Sequence, residues 1–145
     1  VTQTWNPWSA LEERRHLLFG LLKLPRELGG AVYFPIDDCA VIFIDPREPA
    51  VRRRCLLAHE LVHDERDGGC DPEFMPVQWK AVVHREEGWV NDIVADRLVP
   101  PDELARFCQR VAAMEMGVTA RDVAVEFDVT DDVAERALAR LARAS

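Results

Sequence analysis

Arg53-Arg54-Cys55-Leu56-Leu57-Ala58-His59-Glu60-Leu61-Val62-His63 is the stretch on which the reading of this chain turns. In a helix, positions i and i+4 lie about 40° apart around the axis, so His59 and His63 project the same way, one turn apart. Two neutral imidazoles at that spacing chelate one Zn2+. Glu60 is offset from the pair by one residue and is placed to act on water beside the metal without being a ligand. A bound zinc lowers the pKa of water towards about 7, and a carboxylate beside it takes the proton. The turn before His59, Cys55-Leu56-Leu57-Ala58, is apolar, as a buried helix requires.

The flanks frame this segment. Pro46 and Pro49 keep the chain extended ahead of it, so a helix is expected from about 50 to 66, broken by Asp67-Gly68-Gly69. Upstream, Ala31-Val32-Tyr33-Phe34 and Cys39-Ala40-Val41-Ile42-Phe43-Ile44 read as two strands joined through Asp37-Asp38 as a hairpin. The second strand, 39–44, is a candidate sheet edge to which an extended peptide could add. Further upstream, residues 9 to about 23 read as a helix, with Ser9 and Glu12 spaced as a capping box and Leu11, His16, Leu17, Leu18, Leu21 and Leu22 on a broad apolar face.

Downstream, residues 67 to 77 read as a loop. A second long helix is expected over about 77 to 98, stopped by Pro100-Pro101 and slightly weakened by Gly88. Three further helical segments follow: about 101 to 116 before Gly117, one opening at Thr119 with Asp122 in a capping arrangement, and one after Thr130 with Asp131-Asp132 in its first turn. A subdomain seam is expected near residue 101.

Zinc in a catalytic site needs a third protein ligand and an open position. One common pattern extends the same segment with a Gly and a third His, but Arg66 and Gly69 occupy those places here. The other takes a Glu from a second helix, with a polar residue one turn on that orients a ligand His. Glu87 and Asn91 have that i, i+4 relation. Glu86 is the rival ligand, although its i+4 neighbour, Val90, has nothing with which to orient an imidazole. Asp92 is a lesser candidate for the supporting role. His84, one turn before Glu87, and Tyr33, the only tyrosine, are candidates to stabilise an oxyanion; His84 is also an alternative ligand. Asp64, directly after His63, is read as a cap or salt-bridge partner.

Composition limits the remaining possibilities. The chain has 145 residues, 48% hydrophobic and 30% charged, which suits a compact core with a small appended lobe. Lys and Arg number 18 against 26 Asp and Glu, and the resulting charge of -8 disfavours bulk binding of phosphate polymers. Arg52-Arg53-Arg54 reads as a solvated helix face. Thr119–Phe127 and Thr130–Leu141 have helix-turn-helix-like spacing, but the second segment opens on Asp131-Asp132, which repels phosphates; the tail is read as a protein-contact or packing lobe. Cys39, Cys55, Cys70 and Cys108 form no Cys-x-x-Cys pair and read as small buried hydrophobes; Cys70 is a remote ligand candidate in a loop without fixed geometry. No stretch has the length of a membrane span and the start lacks the pattern of a signal peptide, so no membrane association and a cytoplasmic setting are expected.

Three segments in order carry a resemblance: Ile42-Phe43-Ile44-Asp45-Pro46, the helix Arg53 to His63, and Glu87-Gly88-Trp89-Val90-Asn91-Asp92-Ile93-Val94-Ala95-Asp96-Arg97-Leu98-Val99-Pro100. Across about residues 31 to 104 the chain resembles the ImmA/IrrE family of zinc metallopeptidases of phages, mobile elements and bacteria. Val90 stands where that family usually has Ala, and Val94-Ala95 stands for its small-residue pair. The resemblance implies that His59, His63 and Glu87 bind one Zn2+ per chain and that Glu60 is the catalytic base. It also implies a protein substrate, a repressor-type transcription regulator with a helix-turn-helix domain, cleaved to relieve repression.

The expected fold is thus α+β and mostly helical. A zincin-like core over residues 1–100 places a small antiparallel sheet on the motif helix, and a C-terminal helical subdomain covers 101–145. The expected function is a narrow-specificity zinc endopeptidase. A regulator that keeps the peptidase fold but acts by docking to a repressor is the competing reading. Glu60 favours catalysis, because a structural zinc site needs no base.

Overall fold

The computed structural model describes residues 4–66 and 80–145, with side chains described for all of these except 80–86. It is an α+β protein whose described elements are helices α1 (Pro7–Glu12), α2 (Ala50–Glu65), α3 (Lys80–Leu98), α4 (Pro101–Ala112), α5 (Ala120–Phe127) and α6 (Asp131–Ala144), and strands β1 (Leu17–Leu21), β2 (Ala31–Ile36) and β3 (Cys39–Ile44). They form two compact units, residues 6–91 and residues 92–145 with the N-terminal 1–5, so the division falls inside α3. No described helix is long and apolar enough to cross a membrane.

In the unit of residues 6–91 the sheet has the order β1-β3-β2. β2 and β3 form the expected hairpin, pairing antiparallel with Tyr33 opposite Ile42. Asp37, in its turn, takes a left-handed φ of 49° that Asp tolerates. β1 pairs parallel to β3, with Phe19 opposite Ile42. The sheet is therefore mixed rather than antiparallel, and 39–44 is its central strand rather than an edge.

The single helix expected over 9–23 is also corrected. Asn6 accepts a hydrogen bond from the Trp8 N–H, Pro7 stands at the first helical position, and α1 ends at Glu12. Ser9 lies inside this helix rather than capping it. The run Leu17-Leu18-Phe19-Gly20-Leu21, whose leucines fit a helical face, is a strand instead. Gly20 is a poor helix former, and a free edge of β3 was available to pair with this run. An added Cβ at Gly20 would lie 3.0 Å from the Phe43 ring, which occupies the space over this residue.

The connection from β3 to α2 is fixed by Asp45, which is 4% exposed. Its carboxylate accepts from the Leu24 N–H at 3.0 Å, the Arg47 N–H at 2.9 Å and the Arg47 guanidinium at 2.6 Å. Those bonds from Arg47 hold the carboxyl well below the usual carboxylate range against the opposing effect of burial. α2 then begins after Pro49 and runs to Glu65, one residue short of the expected end. Its buried side, Cys55, Leu57, Ala58, Leu61 and Val62, packs on β2, β3 and α1 against Ala40, Ile42 and Ile44.

In the unit of residues 92–145, α5 and α6 pack together and α4 packs on α6. α4 stops at Ala112, short of the expected 116, and Glu115 takes a left-handed φ of 59° in the turn that follows. Thr119 and Asp122 form the expected capping box, with both reciprocal bonds present. Phe127 is fully buried and meets Phe107 edge-on at 6.1 Å between centroids. Phe127→Ala is expected to cost about 3–5 kcal/mol, read from equilibrium urea unfolding. A loss below about 1 kcal/mol would overturn this account of the core. The expected helix start at 77, the loop 67–77 and Cys70 lie outside the described residues.

Candidate metal centre

The site belongs wholly to the unit of residues 6–91. α2 supplies His59 and His63, whose rings meet edge-on at 4.7 Å between centroids. Leu57, Ala58, Leu61 and Val62, all at most 1% exposed, anchor the opposite side of the same turns and fix the direction of both imidazoles. α3 brings Glu87 to them. Its Oε2 lies 2.9 Å from His59 Nε2 and its Oε1 lies 2.6 Å from His63 Nε2. The two Nε2 atoms are 3.0 Å apart. One ligand atom from each of the three residues falls within 4.8 Å of the others, so the group could hold a metal ion.

The chemistry of the donor set fits a cation. Asn91 Oδ1 accepts from His59 Nδ1 at 2.9 Å, which keeps a proton on that nitrogen and turns the Nε2 lone pair of the neutral ring towards Glu87 and His63. Burial works against a charged His59, but the hydrogen bond to Glu87, the nearby Glu60 and Glu87 charges and the bond to Asn91 outweigh it and raise its pKa. Burial likewise works against a charged Glu87, yet hydrogen bonds from His59 and His63 hold its carboxyl well below the usual range. Three Lewis bases thus hold positive charge at one point, and a divalent ion competes there with the imidazole protons.

Glu60 lies beside this group without belonging to it. It is 8% exposed. Burial pushes its carboxyl up, the His59 and His63 charges pull it down, and Glu87 adds to the rise; the net direction is upward. A carboxyl pushed up in this way holds a proton more readily than an ordinary carboxylate, as a general base must once it has taken one.

The other candidates are placed as follows. Tyr33 donates its hydroxyl to Asp64 Oδ1 at 2.9 Å. Asp92 forms ion pairs with Arg136 at 2.8 Å and Arg140 at 3.0 Å. The side chains of His84 and Glu86 lie outside the described residues.

Asp64 is the salt-bridge partner expected, and it gathers more than the sequence indicates. His16 Nε2 approaches its Oδ2 at 2.8 Å, and Arg14 donates to it at 3.3 Å, to the Leu61 carbonyl at 2.9 Å and to Glu65. Arg14 and His16 thus fasten the C-terminal turns of the motif helix to the start of β1, where the Arg14 cation also complements the helix dipole. Neither residue carries a local signal for this role, because each meets its partner from a distant part of the chain. Nearby, the Arg66 guanidinium stacks on Trp89, 3.4 Å from the ring centroid, and joins α2 to α3 a second time.

Asn91→Ala is expected to weaken metal binding about 10–100-fold, measured by competition with a chromophoric chelator. Asn91→Asp, which keeps an acceptor at the same place, should lose less. Equal affinity of wild type and Asn91→Ala would remove Asn91 from the site. No protein-family model, curated protein or solved structure matches the chain.

Proposed function

We propose that the chain is a zinc-dependent endopeptidase of narrow specificity, built on a zincin-like core and acting in the cytoplasm on a repressor-type regulator. The observation that carries this reading is the meeting of His59, His63 and Glu87 with a raised, buried Glu60 beside them and outside the ligand set. His59, His63 and Glu87 would hold the zinc ion, which would supply Lewis-acid chemistry for a peptide carbonyl and lower the pKa of water. Glu60 takes the proton of the attacking water and delivers it to the leaving amine nitrogen. Asn91 holds His59 in the tautomer that offers Nε2. The substrate class rests on the resemblance to the ImmA/IrrE family.

A tail that does not take up nucleic acid fits this reading. Arg136 and Arg140, the basic residues in the middle of α6, are engaged by Asp92 and Asp96, and Asp131 and Asp132 open that helix.

The test incubates zinc-loaded wild type and Glu60→Gln with a repressor encoded beside the chain and identifies new termini by mass spectrometry. Fragments with wild type alone are expected. Equal relief of repression by both proteins, without fragments, would replace cleavage by docking.

A further inference from the structure

A cleft of about 390 Å3 opens beside the start of α2, within the unit of residues 6–91. That volume lies in the range of small-molecule sites. Its charged lining is Arg26, Arg47, Arg52, Asp45 and Glu48. None of these belongs to the group that could hold a metal. Arg52 precedes His59 by seven residues, about 10 Å along the helix axis.

Two of the three guanidiniums are held along one edge. Arg47 donates Nε–H to Asp45 Oδ1 at 2.9 Å, and its Nη2 donates to Asp45 Oδ2 at 2.6 Å and to the Leu24 carbonyl at 2.7 Å. Arg52 Nε meets Glu48 Oε2 at 2.8 Å, and its Nη2 donates to the Gly29 carbonyl at 3.4 Å. Gly30 makes room for the second pair. Its φ is 97°, and an added Cβ would fall 2.9 Å from Glu48 Oε1. A guanidinium carries five N–H donors. Arg47 and Arg52 therefore each keep the N–H groups of Nη1 unspent among the described residues. Arg26 is exposed, and its guanidinium has no hydrogen bond or ion pair with a described residue.

The charges of the lining do not cancel. Three guanidiniums stand against two carboxylates, which leaves one positive charge on a chain of net charge -8. Glu27, next to Arg26, is outside the lining. The first turn of α2 lies between Glu48 and Arg52 and adds to the positive side. Pro49 gives it no side-chain cap, and the first bond of the helix runs from the Arg53 N–H to the Pro49 carbonyl. Such a terminus is equivalent to roughly half a positive charge. A carboxylate monoanion would be matched by Arg26 alone. A phosphate monoester carries about -1.5 to -2 at pH 7, the charge that Arg26 and the helix start offset together. Guanidinium groups also match phosphate oxygens with paired N–H donors.

We propose that this cleft binds the phosphate group of a small monoester. Arg26 and the Nη1 groups of Arg47 and Arg52 donate to it, and Asp45 and Glu48 hold the last two in place. The concave site suits a small molecule, whereas a phosphate polymer would meet the acidic remainder of the chain. Binding requires neither the metal nor catalysis, so it is tested independently of the proposed peptidase activity.

Titration of the full, metal-free chain with glycerol 3-phosphate, followed by 15N–1H NMR at constant ionic strength, tests this. Amides of residues 29, 30 and 50–52 are expected to shift saturably, with a Kd on the order of 1 mM. Acetate should bind at least about tenfold more weakly, since it has fewer oxygens and less charge. Arg26→Gln and Arg52→Gln should each weaken phosphate binding about tenfold, the cost of a hydrogen bond to a charged group. Arg26 has no partner to lose, so that variant should keep its fold and its melting midpoint. Arg143→Gln, at an exposed position in the other unit, should bind as wild type does. No saturable shift up to about 20 mM overturns the proposal. Binding indifferent to Arg26→Gln and Arg52→Gln places the anion elsewhere and overturns it as well. Acetate binding as tightly as the monoester overturns the choice of phosphate.

Discussion

Glu87→Gln is expected to strip the protein of its metal. Wild type should hold about one zinc per chain, and the variant should bind it more than about 100-fold more weakly, because loss of a ligand exceeds the 10–100-fold cost of losing an outer partner. Gln keeps the shape of Glu and removes the charge, and Glu87 is the only anion among the three converging groups. Glu86→Gln should keep its zinc. Metal analysis after dialysis against a weak chelator reads both, and the reverse outcome would transfer the ligand role to Glu86. The same contacts set a pH dependence. His59 is raised above its ordinary value, so its charged form is favoured in the metal-free fold. That contribution to folding is complete below the unfolded His pKa and is lost as pH rises through the folded value. Zinc competes with the same proton. Uptake should therefore weaken as pH falls through the raised His59 value, and should begin to do so at a higher pH than an ordinary histidine would give.

Glu60→Gln should separate metal binding from turnover. Zinc content is expected to match wild type, since Glu60 is not among the ligands. The rate of substrate cleavage should fall about 10²–10⁴-fold, the usual contribution of a positioned general base. Gln fills the same buried space but can neither take the proton from water nor return it to the amine. Single-turnover cleavage followed by mass spectrometry measures the ratio. A variant within about threefold of wild type would take the base role away from Glu60.

The candidate metal-holding group was legible where it depends on one helix. His59, Glu60 and His63 share two turns of α2, so spacing alone gives their relative directions. Glu87 was legible through Asn91, because an i, i+4 pair on a second helix leaves a trace in sequence. The motif helix, the β2–β3 hairpin and the Thr119–Asp122 cap were legible for the same reason: their periods and caps are local. β1 was not. Its leucines fit a helical face as well as a strand, and the partner that decides between them, β3, lies some twenty residues further on. The same holds for the ties at Asp64, which Arg14, His16 and Tyr33 reach across 31 to 50 positions. Such contacts have no spacing to betray them. The mixed sheet follows from the same blind spot, since a parallel strand arrives by a long connection rather than a tight turn.

The stack of Arg66 on Trp89 gives the protein an optical gauge. The indole sits two residues beyond Glu87 on α3, and the guanidinium belongs to Arg66, the C-cap of α2 three residues beyond His63, so the pair ties the same two helices as the proposed ligands. Emission from an indole depends on the cation against its face and on its contact with water, and Trp89 is 51% exposed. Any loosening between α2 and α3 alters both at once. With the other three tryptophans of the chain replaced by Phe, its own fluorescence would report, without a label, whether the two helices are held together.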